Sequence, residues 1–153
     1  MLKRLVALCV LLLLVDVSIQ AAGKEPPRDV LGISIGMSTE AAHSRLQKLG
    51  RLEKEERRQQ EVWALQRDSD FAYLIVGFDK DQVRYVTAKV REAGRRMRYS
   101  DVADIKSARK VIGAGNYEYI WQVAARGNRP AYLVVARGTD PNYLLYYSIK
   151  RVN

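Results

Sequence analysis

AYLIVGFDKDQVRYVTAKVR, residues Ala72 to Arg91, lies without a gap on AYLVVARGTDPNYLLYYSIK, residues Ala131 to Lys150. Alanine, tyrosine, leucine, valine and the turn aspartate (Asp81 over Asp140) coincide, and Val86/Leu145, Val90/Ile149 and Arg91/Lys150 are near matches. Each copy alternates apolar and polar residues on both sides of a turn, which is the pattern of a two-stranded hairpin. Upstream, Val62-Trp63 falls on Ile120-Trp121, and the segment ending Leu49-Gly50 falls on Ile112-Gly113. One supersecondary unit used twice explains the shared order.

Working outward from the first hairpin, Ser38 opens a helix as its cap, with Glu40 at the positive end of the dipole. Ala42, Leu46 and Leu49 form its apolar stripe, and Gly50 stops it as a left-handed cap. The charged run Glu53 to Gln60 reads as a solvated connector. Glu61 to Arg67, Asp70 to Phe78 and Gln82 to Arg91 then read as three strands, the last two joined by Asp79-Lys80-Asp81. In the second unit, Ser100 or Asp101 caps a helix carrying Val102, Ile105, Ala108 and Ile112, with Gly113 as its stop. Asn116 to Ala125, Pro130 to Arg137 and Asn142 to Val152 are its strands. The expected fold is therefore α+β: two tandem units (30–92 and 93–153), each a short helix or helix pair on a three-stranded antiparallel sheet. Residues 23–29, with Pro26-Pro27, are an extended linker.

Residues 1–22 read as an export signal. Lys3 and Arg4 precede eleven uninterrupted apolar residues, Leu5 to Val15, and small residues follow at Ala21, Ala22 and Gly23. Eleven is short of the about 20 residues a membrane span needs. The expected location is periplasmic or secreted, with cleavage near Ala21–Gly23; an uncleaved, N-terminally membrane-anchored chain is the alternative. The single cysteine, Cys9, lies within this run, so the remaining body of about 130 residues has no disulfide and depends on its core.

The whole chain carries a net charge of +9, and without Lys3, Arg4 and Asp16 it is +8. Residues 92–153 hold eleven basic and five acidic residues, against eleven and nine in 30–91. A basic exported domain is drawn to anionic lipid, cell-wall polymer or acidic protein surfaces. Export argues against nucleic acid as the partner.

Catalytic patterns fail on their context. Gly32-Ile33-Ser34-Ile35-Gly36 spells the nucleophile-elbow motif, but the only histidine is His43, nine residues on, with only Glu40 as an acid between, and the chain is too short for the hydrolase sheet. His43 lacks companions at metal-ligand spacing. Asp79-x-Asp81 has Val83 where a calcium loop needs a third oxygen, and no closing glutamate follows. Gly113-Ala114-Gly115 follows a helix in this reading, not a strand, so it is no phosphate loop. A non-enzymatic protein without cofactor or metal is expected.

The aromatics carry more information. Nine tyrosines and two tryptophans lie mostly in predicted strands. A three-residue turn at 79–81 puts Leu74, Val76 and Phe78 on one face with Val86, Ala88 and Val90, packed on the helices. The repeat carries this to Leu133, Val135, Leu145, Tyr147 and Ile149. Tyr73, Ile75 and Tyr85 then share the opposite face with Tyr132, Val134, Leu144 and Tyr146. A sheet face of tyrosines flanked by arginine suits protein binding, and cross-strand pairing or packing between the units explains it equally well. The candidate binding residues are Trp121, Tyr132, Tyr146, Tyr73 and Tyr85, with Arg95, Arg96 and Arg98 from the segment joining the units.

Gly36-Met37-Ser38, the helix ending Leu49-Gly50, Trp63, and Tyr73-Leu74-x-Val76-x-Phe78-Asp79 resemble the small outer-membrane assembly lipoproteins of the SmpA/OmlA (BamE) type. The resemblance covers residues 31–91, and the second unit only through the repeat. Two such modules in tandem are similar in layout to the β-lactamase-inhibitor protein (BLIP). The resemblance implies a module that works by protein contact. This chain lacks the lipoproteins' acceptor cysteine and the inhibitor's disulfides, so neither a lipid anchor nor a β-lactamase target carries over. Function is expected to be protein interaction in the envelope, as an assembly accessory or a hydrolase inhibitor. The alternative is binding of anionic membrane or cell-wall surfaces through the basic second unit.

Overall fold

A computed structural model describes residues 23–57, 59–93 and 95–152; residues 1–22, expected to be an export signal, fall outside them. Ten strands and one α-helix follow in chain order: β1 (Asp29–Val30), β2 (Ile33–Ser34), α1 (Thr39–Leu49), β3 (Gly50–Glu56), β4 (Gln60–Leu65), β5 (Phe71–Asp79), β6 (Gln82–Val90), β7 (Arg109–Gly113), β8 (Asn116–Val123), β9 (Tyr132–Gly138) and β10 (Tyr146–Arg151). Strands β3 to β10 form one eight-stranded antiparallel sheet in the order β3-β4-β5-β6-β10-β9-β8-β7. The expected pair of helix-bearing α+β units is thus corrected: the protein is mainly β, with one eight-stranded sheet, a separate two-stranded hairpin (β1–β2) and a single α-helix among the described residues.

Three local causes account for the difference. First, the stripe Val102–Ile112 does not become a helix, because Asp104 competes for the backbone. Its carboxylate accepts from Lys106 N at 3.0 Å and its carbonyl from Ser107 Oγ at 2.8 Å. Such local bonds favour turns over helix, and only two short 3-10 turns form, Tyr99–Asp101 and Ile105–Ser107. Second, β-branched Val111 and Ile112 pair with Glu118 and Tyr117 across a tight turn. The turn residues Ala114 and Gly115 take φ +47° and +73°, the geometry of a two-residue hairpin. Third, the charged run after Gly50 is not a connector but β3. Gly50 is extended rather than left-handed, so α1 runs straight into that strand. A Cβ at Gly50 would stand 2.0 Å from the Ala64 carbonyl oxygen, so only glycine lets β3 approach β4 there.

The ladder reads the same outward in both directions from its centre. Thr87 faces Ser148 on β6 and β10, and their hydroxyls lie 2.8 Å apart. Trp63 faces Leu74 and Leu74 faces Ala88; correspondingly, Trp121 faces Val134 and Val134 faces Ile149. The gap-free alignment sets Leu74 on Leu133, one residue away from the position the ladder assigns it. A one-residue slip exchanges the faces of a strand. Tyr132, Val134 and Ala136 are therefore buried in β9, and Leu133 and Val135 are not. Leu144 is buried and Leu145 exposed, again the reverse of expectation, while Tyr147 and Ile149 are inward as expected.

One face of the sheet is covered. Over its first half lies α1, capped by Ser38 Oγ accepting from Ala41 N at 3.2 Å and burying Ala42 and Leu46 completely. The β1–β2 hairpin buries Val30 and Ile33. Tyr99, Val102 and Ala103 from the 3-10 segment cover the second half. Tyr99 and Tyr147 are both held neutral by burial, with pKa values pushed up to about 12. The unfolded chain would ionise these phenols near pH 10, so it binds fewer protons than the folded one above that pH. Stability is then complete below pH 10 and falls as pH rises toward 12. Phenolate absorbance should show these two tyrosines ionising together with loss of near-ultraviolet dichroism; ionisation well before unfolding would contradict their burial.

Candidate functional site: the open face of the sheet

No described element covers the opposite face, and its residues lie in ordered rows. The central row runs Val62, Ile75, Thr87, Ser148, Val135 and Ile120 across β4, β5, β6, β10, β9 and β8. Four β-branched aliphatic side chains thus flank a threonine–serine hydrogen bond, all partly exposed. An antiparallel sheet with one solvated face ordinarily shows polar residues there. Four of the six residues in this row are apolar where water would favour polarity, two on each side of its polar middle.

Two polar-aromatic rows flank it. On one side Tyr73 and Tyr146 both neighbour Lys89; on the other Lys150 stands between Tyr85 and Leu133. Tyr85 is fixed from two directions. It faces Gly77, where a Cβ would come within 2.0 Å of its ring, so the ring occupies the space glycine leaves. Its hydroxyl donates to Gln60 Oε1, and burial raises its pKa. Tyr146 accepts from Arg137 Nη1 at 3.1 Å, and Arg137 also pairs with Glu118 at 3.1 Å. These contacts hold large side chains in place before any partner arrives.

The sequence-derived binding residues do not all meet on this face. Tyr73, Tyr85 and Tyr146 do. Trp121 is on the covered face, 2% exposed, with its indole N–H donating to the Asp104 carbonyl at 2.9 Å. Tyr132 is also buried there, placed inward by the register of β9. Both are corrected from contact residues to packing residues. Arg95 and Arg98 are exposed; Arg96 bonds Asp140 at 3.1 Å and lies 3.9 Å over the Tyr143 ring. The two arginines 95 and 98 are thus available to solvent, while Arg96 is occupied locally.

Two structural features escaped the sequence reading. His43 is not merely a surface residue: its Nε2 lies 2.7 Å from Glu61, whose other oxygen accepts from Trp63 Nε1 at 2.8 Å. Glu61 is buried, and these two partners satisfy its carboxylate. The i, i+2 spacing of Glu61 and Trp63 placed them on one face, but nothing in the sequence tied either to His43. Arg91, matched to Lys150 in the alignment, instead donates to the carbonyls of Ser69, Gln66 and Phe71 at 3.0, 2.9 and 3.0 Å. It ties the β4–β5 turn to the sheet. Ser34 sits inside β2 opposite Asp29, not on a strand-to-helix turn, so it is not presented as an elbow nucleophile is. Among the described residues no group of three histidine, cysteine or acidic side chains is placed to hold a metal ion, and no helix is long and apolar enough to cross a membrane.

Compared with protein-family models, curated proteins and solved structures, the chain gives no match.

Proposed function

We propose that this protein is an exported, non-enzymatic interaction module that docks a protein partner on the open face of its sheet. The observation that supports this best is the apolar central row, Val62, Ile75, Val135 and Ile120, left uncovered between tyrosines already held in position. The two apolar pairs, Val62–Ile75 and Val135–Ile120, lie on either side of the Thr87–Ser148 pair; exposed apolar surface rimmed by polar residues marks an interaction site, and tyrosine offers large contact area at small entropic cost. The resemblance of residues 31–91 to envelope modules that act by contact supports the same reading. Lys89 and Lys150 beside the tyrosines favour a partner that brings acidic groups beside its apolar ones. The envelope is the proposed setting, as either assembly accessory or hydrolase inhibitor.

Binding of anionic envelope surfaces is the second reading, favoured by the exposed Arg95 and Arg98. Affinity capture from the cell envelope tests one against the other. The Tyr85→Ala/Tyr146→Ala variant should lose the partner that the parent chain retains, and Arg95→Ala/Arg98→Ala should keep it. The reverse outcome would move the contact to the basic segment. Salt provides a second check, because screening shortens from about 10 Å at 0.1 M to about 3 Å at 1 M. A contact centred on the sheet face should survive that change, whereas a purely ionic one should not.

A further inference from the structure

The sheet has two free edges, and the chain treats them differently. At one edge, β3 carries Arg51, Glu53, Lys54, Glu55 and Glu56, and its pairing with β4 is broken by a bulge between Leu52 and Lys54. Its charges pair within the strand, Arg51 with Glu53 at 3.0 Å and Lys54 with Glu56 at 2.5 Å. Alternating charge and a bulge are the means by which sheets prevent another strand from adding. The edge formed by β3 is guarded.

At the other edge, β7 reads Arg109-Lys110-Val111-Ile112-Gly113, with no bulge and no charge pair within the strand; Arg109 and Lys110 are its only charges, and they repel a basic strand while leaving the edge open to an acidic one. All five residues pair with β8 in unbroken register. Ile112 is 60% exposed, the most exposed of the large hydrophobic side chains among the described residues. The strand holds two cations and no acid. Neither cation is in an ion pair among the described residues; the acid on the neighbouring strand, Glu118, is bound to Arg137. This edge offers unpaired backbone groups, an apolar anchor and positive charge without an ion pair together.

We propose that β7 is a strand-addition site for an extended acidic segment of another protein. Backbone hydrogen bonds along the edge supply affinity, and alternate side chains supply selectivity. Arg109 and Lys110 lie at one end of the strand and Ile112 at the other, so the segment has carboxylates at one end and a β-branched or aromatic residue at the other. The edge adjoins the open face where Arg109 stands opposite Ile120, and the inference is independent of the reading proposed for that face.

The probe is a capped seven-residue peptide of three glutamates, a threonine and three valines, labelled for fluorescence anisotropy and added to the purified full chain. Saturable binding is expected, with little binding of the matching lysine–valine peptide. Arg109→Glu/Lys110→Glu alters two exposed side chains, so it should fold normally, weaken the acidic peptide by about tenfold or more and favour the basic one. N-methylation of alternate peptide residues separates strand addition from simple charge attraction. Methyl groups in one of the two alternating frames should abolish binding, and those in the other should leave it. Failure of the acidic peptide to bind, equal tolerance of both methylated frames, or indifference to the charge reversal would each overturn the proposal. Concentration-dependent self-association by sedimentation, removed by the same reversal and by Glu53→Lys/Glu55→Lys, would assign the edge instead to β3 of a second copy.

Discussion

Trp121→Ala is expected to lower the unfolding free energy by about 3–5 kcal/mol, the range for deleting a large aromatic from a packed interior. The side chain is buried on the covered face and sits 6.4 Å, centroid to centroid, from the stacked Tyr119 ring. It also anchors the 3-10 segment through its bond to the Asp104 carbonyl. Alanine therefore leaves a cavity and unties the 3-10 segment; the Asp104 carbonyl keeps Ser107 as a donor, so the cavity dominates the cost. In a domain of this size the melting temperature should fall on the order of 10 °C. Trp121→Phe keeps most of the volume and should cost about half as much or less, chiefly for the lost hydrogen bond. Tyr146→Ala, on the open face, should change stability by less than about 1 kcal/mol beyond its lost cross-strand contacts. If Trp121→Ala were as mild as Tyr146→Ala, the assignment of faces in the second half would be wrong.

Ile75→Lys/Val135→Lys should produce the opposite pattern, a folded protein that no longer binds. Both positions already face solvent, and lysine in a strand at such a site costs stability of about 1 kcal/mol or less per change. In a docked complex the two ammonium groups would be driven into the centre of the contact without partners. Desolvating them costs several kcal/mol, and affinity for the captured partner should fall about 100-fold or more. Circular dichroism and melting temperature establish that the variant is folded, and a competition assay against the parent chain reads the loss. Unaltered capture by a folded variant would remove the open face as the docking surface. Tyr85→Ala/Tyr146→Ala addresses the rim of the same surface, so the two double variants should agree in direction.

The hairpins and the first helix were legible because each rests on near-neighbour chemistry. Ser38 and Ala42 to Leu46 define α1, and the Ala72–Arg91 alternation defines β5 and β6 with inward Leu74, Val76, Val86 and Ala88. The second half was misread where distant contacts decide. Val102, Ile105, Ala108 and Ile112 carry helical spacing, yet Asp104 and the pairing of β7 on β8 override it. The tyrosines divided between the two faces because identity of letters aligned Leu74 with Leu133, whereas the hydrogen-bonded ladder aligns it with Val134. Glu53 to Glu56 read as a loop because no residue there is buried, and an edge strand with charged side chains has the same composition. The open face itself needed the join of β6 to β10, a pairing between halves that no local pattern announces.

That join also has a consequence in time. The strand at the middle of the finished sheet, β10, is the last of the ten to be synthesised, and Val86, Thr87 and Ala88 on β6 wait for it with one edge bare. A chain emerging in order can complete the β3–β6 meander early, because each of its contacts is with the strand just made. It then holds an unguarded, valine-rich edge throughout the roughly 50 residues of further synthesis or passage before β10 arrives, at a rate of about 5–20 residues per second during translation. The protein's greatest exposure to mispairing therefore falls within those few seconds of its making, and a chain cut short before Tyr146 would remain in that state.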